Sequence, residues 1–420
     1  MRMLSIKRRQ FIQQALALKA GFLLNQSTLA TAAGLPAKPD TPSLESSKFK
    51  ESPQANQNIT ELPNHSFKLK KSTQTETADY FSASKNAAGQ FLIQQFDRTG
   101  RVLADYDLPK RGHSFAVSND QWLIAIGRRP ANYFLAFNLQ NQKTYQLNAQ
   151  HDRRFYGHGV FYENEGQLKL YLTENDLTSG NGVIGVYDVN ENFARTGEIP
   201  SYGIGPHDIQ LDTSKQLLVV ANGGIKTHPA TGRKKLNIAT MQSSLAFVDP
   251  RTGDLFKQFQ LPPDYQFNSI RHLAIDSDNN IYLALQNQSV EHKQCLIAIY
   301  RRGSNSIEPC TMPVTINQQL NHYIGNICLD KSEQYFLATS PKGNLAVLFT
   351  NEGEFIDSIQ IDDVCGVEPS QKNHSFLVST GKGSVYLLTV NPTSRKLEAT
   401  ELLKSYDQEI AWDNHIISMV

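Results

Sequence analysis

The chain has 420 residues, with 41 Lys and Arg against 40 Asp and Glu and a formal net charge of +1. So even a balance gives no electrostatic case for nucleic acid, and no DNA- or RNA-reading motif occurs. The four cysteines include no C-x-x-C pair, which argues against a zinc knuckle, thioredoxin chemistry or covalent c-type haem.

The chain opens MRMLSIKRRQFIQQALALKAGFLL, a basic start followed by a short apolar stretch. Arg8-Arg9-Gln10-Phe11-Ile12 is a twin-arginine type sequence, and Ala30-Thr31-Ala32 offers a small-residue cleavage site. Lys19 and Asn25 interrupt the apolar stretch, which is too short to span a bilayer well. Residues 1–33 are therefore expected to be a Tat-type signal peptide, a Sec signal with a chance arginine pair being the alternative. The mature protein is then periplasmic, with no membrane span. Residues 34–77 form the expected disordered linker: to residue 70 they are rich in Pro, Ser, Asn, Gln and Lys without apolar periodicity, and cannot bury enough surface to offset ordering entropy.

From about residue 78 the pattern is short strands separated by turns. SFAV, QWLIAIG, YFLAFNL and KTYQLN make one four-strand unit, and the rhythm recurs five more times up to about residue 403. The region begins with a partial unit, DYFSASK, QFLIQQFD and RVLADYDL, that lacks a first strand. The C-terminal HIISMV is a first strand that lacks the rest. Joined, they give a seventh unit and remove open sheet edges. The expected fold is all-β: a seven-bladed β-propeller over residues 78–420, with its N- and C-terminal strands sharing one blade. The largest insertion lies between residues 223 and 243, and no helix of useful length is expected beyond the signal.

Five units carry a histidine where the innermost strand begins: His113, His158, His207, His272 and His415. The other two carry Gly325 and Gly366. Innermost strands line a propeller's central channel, so equal offsets are expected to turn the five imidazoles toward one axis. Loops after the second strands share that face: GRRP at 127–130, TEND at 173–176, ANGG at 221–224, and three more polar ones. They describe a polar funnel above a histidine ring.

YGHGVF, TEND, GVIGVYD, GIGPHD, VVANGGIKTHP, IRHLA, SPKGN, DVCGV and the terminal WDNH resemble the exported bacterial propellers filed as domain of unknown function 1513. The likeness covers essentially residues 78–420. It implies a seven-bladed propeller exported by bacteria, with genes often near apparent iron-uptake clusters, so periplasmic iron-uptake proteins are the partners it implies. It implies no activity.

Neutral imidazole is a common ligand of Cu, Zn, Fe and Ni, so the five histidines are candidate ligands for a transition metal, iron or copper. A second reading stays open, in which Gly-His is a blade-packing element and the pattern follows from fold repetition alone. Arg128 and Arg129 could hold a carboxylate or phosphate. Glu174 and Asp176 could complete a metal shell or orient a histidine, and Asn222 with its two glycines could offer donors. Each of these residues also fits ordinary turn chemistry. His228 reads as a surface residue in the insertion. His65, His151, His292, His322 and His374 do not share the repeat position. Nucleophile elbows, P-loops, dinucleotide fingerprints and EF-hand loops are absent from the sequence. Three functional classes remain: a periplasmic protein binding a metal ion or small ligand, a metal-dependent oxidoreductase or hydrolase using the same hub, and a non-catalytic docking scaffold. Cys295 and Cys310 lie symmetrically about the turn Arg301–Ser304, as a disulfide or as two buried thiols, while Cys328 and Cys365 are expected to be free.

Overall fold

In this computed structural model the described residues are 49–51, 59–62, 79–118, 121–289, 294–404 and 409–419. The expected signal peptide, most of the expected linker, His65 and His292 lie outside them. The alternating runs form seven antiparallel sheets, each with four strands in sequence order except at the closure, two of them extended by a further edge strand. Numbering blades from the closure, blade I places Ala411–Met419 innermost, followed by Asp79–Lys85, Phe91–Phe96 and Val102–Leu108. The C-terminal strand thus completes the partial N-terminal unit, and it begins at Ala411, four residues before His415.

Blades II to VII have as innermost strands Gly112–Ser118, Arg153–Asn164, Pro206–Leu211, Asn268–Ile275, Asn326–Leu329 and Val364–Pro369. Each innermost strand touches the next, and the last touches the first, so the ring is closed.

The segment expected to be a disordered linker contributes two short strands. Ile59–Leu62 pairs with the outer strand of blade II and Lys50–Glu51 with that of blade III, making these two sheets five-stranded. Composition missed them because two half-buried apolar residues, Ile59 and Leu62, and edge pairing suffice for so short a strand.

Blades are held together by strands buried on both faces, which read as continuous apolar runs. In Trp122–Gly127, Leu123 and Ala125 pack toward blade I while Ile124 and Ile126 pack toward blade III. The second interface is aromatic: Phe134 lies 5.7 Å from Phe155 and 5.5 Å from Tyr187. Each such fully buried side chain contributes about 1.5–3 kcal/mol. The one α-helix among the described residues is the short Val314–Gln319, which sequence reading did not anticipate. No described helix is long and apolar enough to cross a membrane. Cys295, Cys310, Cys328 and Cys365 are all buried free thiols. Burial pushes Cys295 up to about 11 and Cys310 up to about 12, so neither is a thiolate at neutral pH.

Candidate metal centre

The innermost strands do more than repeat an offset. In blade II, Gly112 pairs with Gly127 and Ser114 with Ile126, leaving His113 as an extra residue. In blade IV, Pro206 pairs with Asn222 and Asp208 with Ala221, leaving His207 extra. The register shifts between Phe155 and Gly159 in blade III, around His158, and opposite Ser82 and Ser84 in blade I, around His415. In blade V the extra residue is Arg271, immediately before His272. Bulges bend a strand and re-aim its side chains. Here hydroxyls from second strands brace them: Thr173 donates to the carbonyl of His158 at 3.0 Å, and Ser82 to that of His415 at 2.8 Å. Gly157, at φ 108°, lets the chain pass His113, because a Cβ there would lie 2.3 Å from His113 Cδ2.

The five imidazoles form one cluster. His158 stands centrally, with ring centroids 5.0 Å from His113, 5.1 Å from His207, 5.3 Å from His272 and 4.8 Å from His415. All five residues are buried. Two triads, His113–His158–His207 and His158–His272–His415, each bring one nitrogen per ring within 4.8 Å of the others. Tetrahedral bonds of 2.0–2.1 Å would set these separations at about 3.3 Å, so the rings need to converge by no more than about 1.5 Å. In each ring one buried nitrogen has no hydrogen-bond partner: Nδ1 of His113, His207 and His272, and Nε2 of His158 and His415. Such atoms are costly to bury unless something accepts their lone pair or proton.

Burial, reinforced by neighbouring imidazoles, holds His113 and His415 well below the usual histidine range; burial and then Arg271 do the same for His207. Burial lowers His272 to about 4. These four rings are therefore neutral at pH 7, the form that ligates metals.

One carboxylate, Asp208, engages the imidazoles, and a second, Asp413, holds arginines beside them; neither stood out in the sequence. Asp208 Oδ1 accepts from His158 Nδ1 at 3.2 Å, and its Oδ2 lies 3.6 Å from His272 Nδ1. Burial would raise its carboxyl, but the nearness of His158 first, and then of His272, outweighs that and holds it well below the usual range. Asp413 is gripped by Arg111 at 2.5 Å and Arg128 at 2.6 Å. Their signals were present as an Asp beside the repeat histidine in GPHD and WDNH.

Arg128 and Arg129 follow the second strand of blade II and are both engaged by neighbouring side chains. Arg128 is committed to Asp413, and Arg129 donates to Thr227 Oγ1 at 3.1 Å with its guanidinium 4.7 Å over the Tyr156 ring. Glu174, Asp176 and Asn222 do not join them. Glu174 is fully buried inside blade III, accepting from Tyr187 at 2.5 Å and Arg195 at 2.9 Å. Asp176 caps its own turn through Thr178 N and Ser179 and faces Arg153. Asn222 donates to Ser201 O at 2.7 Å, tying blade IV to the preceding loop. Their backbone shares the expected face, but the side chains turn into the blades. Of the two glycines, Gly366 abuts Ile416, where a Cβ would lie 2.9 Å from its Cγ1. His228 is outside the cluster, capping a 3₁₀ turn in the insertion.

On the other side of the histidines a cavity of about 680 Å³ is lined by all seven innermost strands, with His158, Asp208 and His415 among its walls. Glu368 also lines it. Burial pushes this carboxyl up to about 7, although Ser418 donates to it through N at 3.1 Å and Oγ at 2.7 Å.

A family pattern matches residues 106–419, a span that includes all five clustered histidines, Asp208 and Asp413. The chain belongs to the family described as protein of unknown function (DUF1513). No curated protein sequence matches it. Among solved structures it is similar to the periplasmic gluconolactonase of Pseudomonas aeruginosa, with 12% identity, TM-score 0.52, and coverage of 82% of this chain and 99% of that one. It is likewise similar to hydrazine synthase of Kuenenia stuttgartiensis, with 12% identity, TM-score 0.51, and coverage of 80% and 98%. A functionally unknown protein from Desulfotomaculum acetoxidans matches at 10% identity and TM-score 0.50, over 80% of this chain and 99% of that one. At such identities the likeness carries the propeller fold and no activity.

Proposed function

We propose that this protein is an exported propeller that binds one first-row transition metal ion, iron or copper, at its histidine hub. The observation that carries the reading is the cluster of five buried imidazoles, in which His113, His158, His207 and His415 each keep a ring nitrogen with no partner. A purely structural ring would bond each imidazole to its own blade; here the one carboxylate that engages them, Asp208, serves histidines of two neighbouring blades. With Nδ1 of His158 donating to Asp208, its Nε2 lone pair is free for an ion, the carboxylate–histidine arrangement common at metal sites. Imidazole donors suit copper, zinc, nickel and iron; handling of iron in the periplasm is the role we assign, with export supplied by the twin-arginine segment.

The test is metal content. Protein purified from the exported fraction, and apo-protein reloaded with Fe(II) or Cu(II), should each hold about one ion per chain by mass spectrometry. The double variant His158→Ala/His207→Ala should hold none while keeping the wild-type circular dichroism spectrum. Wild-type protein that stays empty under both conditions would overturn the reading.

A further inference from the structure

The mouth above the histidines carries more positive charge than its carboxylates can answer. Asp413 is shared by Arg111 and Arg128, and Asp208 faces two histidines. Among the described residues no carboxylate oxygen lies within 4.0 Å of Arg129, Arg154 or Arg271. Arg271 and Arg154 each bury an Nε that donates to nothing.

Arg129 and Arg271 stand at the two ends of one short series of contacts. Arg129 and the Tyr156 hydroxyl approach the same Thr227 Oγ1, at 3.1 Å and 3.4 Å. The Tyr156 hydroxyl also lies against Gly205, 3.4 Å from where a Cβ would be. Gly205 in turn accepts from the amide of Gly223 at 2.9 Å. Arg271 Nη1 reaches in from the far side, 3.1 Å from the Cβ position of Gly223. The bulge of blade V is what aims it there, because Arg271 is the residue left unpaired. Unpaired buried cations are expensive, and a planar guanidinium meets a bidentate oxyanion well.

We propose that this mouth is a binding site for a small oxyanion, a carboxylate or phosphate, clasped between Arg271 and Arg129 with the Tyr156 hydroxyl beside them. The site adjoins the imidazole cluster, Arg271 standing next to His272 in the chain, but does not require it to hold metal.

The experiment is calorimetric titration of chelator-treated full-length protein at low salt with two probes, inorganic phosphate and succinate. Saturable binding of one ion per chain is expected for at least one probe, weakening as salt is raised, with a matching rise in Tm. Whichever probe binds assigns the ligand to phosphates or carboxylates. Arg271→Gln and Arg129→Gln should each lower affinity at least tenfold, and Arg271→Lys less than Arg271→Gln. The surface control Arg395→Gln, remote in a pair with Glu354, should bind as wild type. His158→Ala/His207→Ala should also keep the oxyanion, so loss of metal binding and loss of this site are distinguishable. No saturable binding of either probe to wild type, or unchanged affinity in a folded Arg271→Gln protein, would overturn the proposal.

Discussion

Asp208 follows His207 in sequence, yet its carboxylate is bonded to His158 of the preceding blade, at 3.2 Å, and not to its own neighbour. One residue thereby fixes the ring of another blade, and its second oxygen faces His272 in the next one. Asp208→Asn should leave the propeller folded, because its backbone pairing with Ala221 is unaffected. Metal affinity should fall about 10–100-fold, the usual cost of losing a carboxylate behind a histidine ligand. Competition against a chelator of known affinity measures this; equal affinities would detach Asp208 from the centre.

The closure of blade I makes a second claim. Trp412 is buried, packs 5.1 Å from Phe96, and donates from Nε1 to Gly383 O at 3.0 Å, so it joins the C-terminal strand to both blade I and blade VII. Trp412→Ala should cost about 3–5 kcal/mol in a denaturant titration. Deleting residues 411–420 should do more, since it exposes the edge of Asp79–Lys85 and removes His415 together. A truncated protein that unfolds cooperatively at the wild-type midpoint would refute the closure's structural weight.

Much of the fold was legible because short strands and turn chemistry recur seven times, and a three-strand unit at one end with an orphan strand at the other has one economical solution. The histidine positions were legible for the same reason. The side chains of Glu174 and Asn222 were not, because loop position fixes where a backbone lies but not which way its side chain leaves it. Glu174 follows Arg195 and Tyr187 into blade III, and Asn222 follows Ser201. The bulges were also hidden: nothing in IRHLAID tells the reader that Arg271 is the unpaired residue. Asp208 and Asp413 were readable in retrospect, as acids beside the repeat histidines.

The proposed export rests on the sequence of residues 1–33 and is tested on its own. Replacing Arg8 and Arg9 with Lys should stop passage through the Tat machinery, whereas a Sec signal tolerates that change. The processed form should disappear from the periplasmic fraction and unprocessed chain accumulate inside the cell. Continued export of the variant in cells lacking the Tat translocase would reject the assignment.

Stability should depend on pH with two opposing contributions, both read on metal-free protein. His272 titrates near 4 in the fold against 6.5 for the free side chain, so its contribution is complete above pH 6.5 and is lost as pH falls toward 4, by up to about 3 kcal/mol. His113, His207 and His415 are depressed in the same direction and add to it. Glu368 runs the other way. Its folded value of about 7 exceeds the ordinary 4.5, so the fold retains a proton that the unfolded chain releases, and stability falls as pH rises from 4.5 through 7. Because Glu368 faces the axial cavity, screening trims this to about 1–2 kcal/mol. Four histidines outweigh one carboxyl, so the net slope should favour neutral over acidic pH between 6.5 and 4. Glu368→Gln separates the two contributions. It should stabilise the protein at pH 8, where the wild type holds an ionised buried carboxylate, and the gain should shrink toward zero as pH approaches 5. Chemical denaturation across that range reads both effects; a gain that stays constant with pH would show that Glu368 does not titrate as its surroundings dictate.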